Sequence, residues 1–189
     1  PAPAAVAVAP QPEQQPYQLP PVSLLNPIPK GRADHGNVEE TCEVLVETLG
    51  QFNVPVEVIG TTPGPVVTQY ELRPAPNIKV ERIASLSANL QMALEANSLR
   101  VQAPIPGKNA VGIEIPNRRA LPVTFREVIE GEAWNKNRYE VPLALGKDVA
   151  GNDLIYDLTK APHLLVAGAT GSGSSAATGS KLRAMTATW

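Results

Sequence analysis

The sequence predicts an α+β protein: a small sheet with helices packed on one face, followed by the first strands of an incomplete α/β phosphate-loop domain. Three observations carry this. From residue 37 to 115, helical and alternating apolar patterns follow one another in the order helix, strand, strand, helix, strand, strand. From 141 to 158, two short strand patterns flank a turn sequence. From Leu164 to Ala167, a continuous apolar run of the kind found in parallel strands buried on both faces leads directly into a glycine-rich loop.

Pro1 to Pro16 contains only proline, alanine, valine, glutamine and one glutamate. So little bulky apolar surface cannot offset the entropy of ordering, and the segment reads as an extended, mobile linker. Tyr17 to Pro29 keeps the prolines but adds Leu19, Val22, Leu24, Leu25 and Ile28, so it is expected to lie as an extended strap against the following domain. Gly31 to Gly36 breaks the chain. Asn37 and Glu40 then have capping-box spacing, and Val38, Cys42, Leu45, Leu49 and Phe52 fall on one helical face. Cys42 within that stripe reads as a small core hydrophobe rather than a reactive thiol.

Val54 to Ile59 is expected as a strand and Thr62 to Pro65 as a tight turn. Val66 to Arg73 then follows as a second strand with Val66, Thr68, Tyr70 and Leu72 on one face. Val80, Ile83 and Leu86 suggest a short helix. A second helix, capped by Ser87, turns Leu90, Ala93 and Leu94 inward. Leu99 to Ala103 and Ala110 to Ile115 are the next strands, joined by Pro104-Ile-Pro-Gly-Lys108, and Pro116 ends the latter. Lys108 reads as a solvated turn lysine, and Arg118-Arg119 as a basic step too short to make a nucleic-acid patch. Phe125 to Ile129 suggests a helical turn, Trp134 to Arg138 a polar loop, and Val141 to Leu145 with Leu154 to Leu158 a hairpin around Asp148 to Gly151.

Gly168 and Gly173 have phosphate-loop spacing. In such loops glycines let consecutive N–H groups converge on a phosphate, a lysine neutralises the β/γ oxygens, and the next hydroxyl holds Mg²⁺. Gly168, Ala169, Thr170, Gly171, Ser172, Gly173, Ser174 and Ser175 form the candidate nucleotide site. Ser174 stands at the lysine position, while Ser175 could still supply the metal-binding hydroxyl. Gly171 to Ser180 alone would also pass for a glycine/serine linker, but linkers are not normally launched from an apolar strand. Ala-Thr-Gly-Ser occurs at 169–172 and again at 177–180, so residues 176–189 read as an aberrant or disordered tail.

Composition narrows the function classes. A net charge of −2 over 189 residues gives no field that would gather polyanions across the whole surface. One cysteine excludes an internal disulfide framework, and His35 and His163 lack metal-ligand spacing to each other, so no metal site is expected. No apolar run approaches the roughly 20 residues of a membrane helix.

Several local sequences together resemble the FtsK/SpoIIIE family of DNA translocases. They are Tyr17-Gln-Leu-Pro20 with Leu24-Leu25, Gly64-Pro-Val-Val-Thr68 with Tyr70-Glu71, Leu86-Ser87, Pro104-Ile-Pro-Gly-Lys108, Gly112-Ile-Glu-Ile-Pro-Asn117, Leu145-Gly-Lys-Asp148, and Pro162-His-Leu-Leu-Val-Ala-Gly-Ala-Thr-Gly-Ser-Gly173. The resemblance implies a linker end at 1–16, an α domain at 17–123 and the start of a RecA-like β motor domain at 124–175. It implies that the intact protein is a hexameric ring that uses ATP and Mg²⁺ to pump double-stranded DNA in chromosome segregation and cell division. Such a protein is tied to the bacterial membrane at the septum by an N-terminal anchor, while the stretch present here is cytoplasmic. The family has lysine where this chain has Ser174, and its Walker B acid and DNA-contacting loops follow further along the motor. The chain is therefore expected to bind no nucleotide itself and to serve as a noncatalytic ring-assembly module, reaching DNA only through other domains. Two other readings remain open: an enzyme with an atypical phosphate loop, and a DNA-binding adaptor acting through Lys79, Arg82, Arg118 and Arg119.

Overall fold

The computed structural model describes residues 19–136 and 138–165. The linker, the glycine-rich loop and the tail lie outside them. Asn37 caps the first helix, α1 (Val38–Gln51), by accepting from the Glu40 amide at 3.2 Å. The helix stops where Asn53 turns left-handed at φ 56°, a conformation asparagine tolerates, and the Val54 amide returns to the Leu49 carbonyl at 2.9 Å. That return makes Val54 a core residue rather than the start of a strand.

Strands β1 (Val56–Pro63) and β2 (Val67–Pro74) follow, then helices α2 (Val80–Ser85) and α3 (Ser87–Ala93), then β3 (Arg100–Gln102) and β4 (Val111–Pro116). The sheet is antiparallel throughout, in the order β1-β2-β4-β3. Its buried face carries Val56, Val58, Tyr70, Leu72, Val101, Val111 and Ile113 against Leu45 and Leu49 of α1, Ile83 of α2 and Leu90 of α3. The expected packing of helices on one sheet face is what forms. The opposite face is polar: Glu57 pairs with Arg73 at 3.7 Å, Glu71 with Lys108 at 2.6 Å, and Glu114 with Arg100 at 3.1 Å. Lys108 is thus engaged rather than merely solvated.

Four further local expectations change. The β1–β2 turn starts at Gly64 instead of Thr62, because Pro63 sits on an edge strand that does not need its missing N–H, and Val66 is exposed. Ser87 is the first residue of α3 and makes no side-chain cap; Leu86 precedes it. Residues around Trp134 form α5 (Glu132–Lys136), supported by a Glu132–Lys136 ion pair and by Asn135 Nδ2 donating to the Gly131 carbonyl at 3.0 Å. The strap makes a short 3₁₀ turn, Val22–Leu24, and leaves Leu19, Val22, Leu24 and Ile28 in solvent, with Leu24 74% exposed, while Leu25 is half-buried. Its four prolines, at 20, 21, 27 and 29, remove the donors that would let it join a ladder.

Beyond β4 a second unit begins. Helix α4 (Phe125–Glu130), capped by Thr124, packs on the hairpin β5 (Pro142–Lys147) and β6 (Asp153–Asp157), with α5 against β6.

Candidate functional site

The glycine-rich loop, Gly168 to Ser175, lies outside the described residues, so the structure bears on its approach. The hairpin and the turn Leu158–Lys160 form that approach, and Asp157 locks it. Its carboxylate, 5% exposed, accepts from the amides of Glu140 and Val141 at 3.2 Å each, and from the amide and hydroxyl of Thr159 at 3.3 and 2.9 Å. Burial alone would raise the carboxyl pKa, but the donors from Val141, Thr159 and Glu140 outweigh it and hold Asp157 below the usual carboxylate range. After this lock, Ala161 to Leu165 makes no strand, and Leu165 is 91% exposed. The expected buried strand is therefore absent at Leu164 and Leu165; among the described residues the β5–β6 sheet has two strands and offers them no parallel neighbour. Val166 and Ala167 lie outside the described residues.

One turn earlier, Lys147 ties three segments together. Its ammonium, 15% exposed, reaches Asp153 Oδ1 at 2.8 Å, the Gly151 carbonyl at 3.2 Å and Glu127 Oε1 at 3.3 Å, joining α4 to both hairpin strands. Burial alone would lower its pKa; hydrogen bonds and charge from Asp153 and Glu127 raise it above the ordinary lysine value. Gly131 makes room for this cluster, because a Cβ there would run into Asp153 Oδ2. The turn between the strands is held by Asp148, which accepts from Asn152 N at 2.8 Å and Asn152 Nδ2 at 3.0 Å. Those donors hold its carboxyl below the ordinary value.

A cleft of about 500 Å³ opens on the sheet body where the loop before α1, the end of α3 and the exit of β4 converge. At its floor Thr68 Oγ1 donates to Asn117 Oδ1 at 2.8 Å, and His35 Nδ1 sits 3.2 Å from Thr68 Oγ1 and 3.3 Å from Asn117 Oδ1. Glu40, Glu95 and Arg118 stand at its rim. Arg118 runs alongside Gly36, while the backbone of Arg119 pairs with Asp34. Arg82 donates to the Phe52 carbonyl at 2.9 Å. Among the described residues, no group of three or more His, Cys, Asp or Glu side chains could hold a metal ion, and no helix is long and apolar enough to cross a membrane.

Two family models match in sequence order: the FtsK alpha domain over residues 19–117 and the FtsK/SpoIIIE family over residues 124–185. The chain belongs to the FtsK/SpoIIIE family. It is 45% identical over 164 residues to the DNA translocase FtsK of Caldanaerobacter subterraneus, covering 86% of this chain and 23% of that protein. It is 47% identical over 161 residues to the DNA translocase FtsK of Helicobacter pylori strain 26695, covering 84% of this chain and 19% of that protein. The chain thus spans about a fifth of the length of these FtsK relatives. The conjugation coupling protein TcpA of pCW3, solved in its monomer form with ATPγS, overlays on 77% of this chain and 42% of that one at 19% identity. Its TM-score of 0.34 is too low to fix the fold.

In sequence, the glycine-rich loop has Ser174 where the phosphate-loop motif has lysine and Ser175 at the hydroxyl position that follows. His35, Asn117, Lys147 and Asp157 were not candidates from the sequence. Asn117 and Lys147 do lie inside two of the tracts that carry the resemblance, and that was the available signal.

Proposed function

We propose that this chain is part of an ATP-dependent double-stranded DNA translocase acting in chromosome segregation and cell division. Residues 17–123 are its α domain and 124–175 the opening of its RecA-like motor domain. Within that machine the chain contributes a noncatalytic assembly module: the sheet body builds one tier of a hexameric ring, and DNA and ATP are handled by the motor. The observation that carries this reading is the 45% identity over 164 residues to a protein named DNA translocase FtsK. The noncatalytic part rests on Ser174, since phosphoryl transfer depends on positioned positive charge around the triphosphate.

Light scattering coupled to size-exclusion chromatography tests the assembly role. A hexamer of the purified chain is expected, and a strict monomer at high micromolar concentration overturns it. Calorimetry with Mg-ATP tests the rest: no binding is expected in the micromolar range, and micromolar affinity sinks the noncatalytic assignment.

A further inference from the structure

The β1–β2 turn and the β5–β6 turn belong to different sheets, yet they meet at the level of backbone. Gly64 is buried, and a Cβ there would run into the carbonyl oxygen of Val149, with the Val67 carbonyl oxygen 2.8 Å away. One residue on, Pro65 Cδ would lie 3.5 Å from a Cβ placed on Gly151 of the opposing turn. The Gly64 turn is fixed from beneath. Asn117 Nδ2 donates to the Gly64 carbonyl at 2.9 Å, Asn117 N to the Val66 carbonyl at 3.0 Å, and Leu121 N to the Pro65 carbonyl at 2.8 Å. Three successive carbonyls are thus held by the chain leaving β4, and Thr68 holds Asn117 in turn. The opposing turn is closed just as firmly, by Asp148 N on the Asn152 carbonyl at 2.9 Å and Gly151 N on the Asp148 carbonyl at 3.0 Å. Two turns so constrained, meeting through backbone at Gly64 and through the rigid Pro65 ring at Gly151, pass on a displacement instead of absorbing it.

We propose that the Gly64–Val149 seat is a coupling joint that makes the sheet body and the β5–β6 hairpin one cooperative unit, so that motion at the approach to the glycine-rich loop is carried into the sheet. Gly64 is a positioning residue, acting only by allowing the two backbones to touch. A two-stranded hairpin is at best marginally stable alone, so its protection from solvent exchange reports directly on what it is docked to. The proposal concerns the fold and holds whether or not the chain assembles into rings.

Hydrogen exchange by mass spectrometry on the full chain tests it. In the unaltered protein, β5 and β6 amides are expected to exchange through the same opening as β2 and β4 amides, their protection falling in parallel as urea is added. Gly64→Ala is expected to cut protection of β5 and β6 by about tenfold while β2 and β4 change little. Gly60→Ala, where a Cβ would meet only the Glu71 carboxylate at 3.8 Å, should alter neither. A hairpin that opens independently in the unaltered chain overturns the proposal, whether or not any variant folds. Equal loss across both regions in Gly64→Ala, or no loss in either, overturns it as well.

Discussion

The sheet body and the hairpin unit are held together by different physics. In the body, nine fully or almost fully buried apolar residues form one continuous cluster between sheet and helices. In the hairpin unit, buried apolar side chains among the described residues are Val128, Leu143 and Ala144, and the fixing contacts are ionic or polar: Lys147 with Glu127 and Asp153, and Asp157 with four donors. The first arrangement is non-directional and carries no group that titrates at acid or neutral pH; the second depends on protonation state and geometry. The two regions therefore answer to different variables, even where the Gly64–Val149 seat makes them open together.

The largest expected effect breaks the body. Leu72→Ala removes a fully buried side chain at the centre of the cluster and should cost about 2–5 kcal/mol, read as a shift of the urea midpoint for the whole chain. A hairpin signal that survived this substitution intact would show the two regions to be independent, against the coupling at Gly64 and Val149. Lys147→Met comes next. It leaves Glu127 and Asp153 facing each other without a cation and should destabilise the hairpin unit by about 1–3 kcal/mol. Loss of far-ultraviolet signal from the sheet at the same denaturant concentration would show that the ionic cluster matters to both regions.

How much of this was legible beforehand follows from the same contrast. Helix α1 and the inward face of β2 could be read directly, because Val38, Cys42, Leu45 and Leu49, then Thr68, Tyr70 and Leu72, repeat with the period of the element they belong to. The Lys147 cluster could not, because its partners lie 20 residues before it and 6 after, a spacing with no local meaning. Gly64 was legible as a turn residue only; its obligation to be glycine comes from Val149, 85 positions later, and no periodicity connects them. Helix α5 was hidden by its length, since five residues are too few to show a stripe. The strap misled for the opposite reason: its leucines and isoleucine suggested burial, while its prolines decided the outcome.

The pH dependence should separate the regions next. The Asp157 carboxyl is depressed in the folded chain, so its contribution is fully present above the unfolded value near 4 and is lost as pH falls through the lower folded value. Thermal melts should therefore be flat from about pH 7 to 5 and fall below about pH 4, with Asp157→Asn already weakened at neutral pH and less sensitive to acid. Protection of β2 and β4 that declined ahead of β5 and β6 on acidification would contradict the assignment of this sensitivity to the hairpin. A smaller effect is expected from Thr68→Val. It removes the hydroxyl that links His35 and Asn117 under the cleft and should cost about 1 kcal/mol, with little change in the core.

The smallest effect tests the polar face of the sheet. Lys108→Ala deletes the partner of Glu71, but the lysine side chain is more than half exposed, so water and salt already screen the pair. A change below about 0.5 kcal/mol is expected, shrinking further at high salt. A loss above 1 kcal/mol that high salt did not reduce would mean that the ion pairs of this face brace the sheet as the apolar cluster does on the other. The division between a core held by burial and a hairpin held by charge would then have to be redrawn through the middle of the sheet, with its two faces as the contrasting regions.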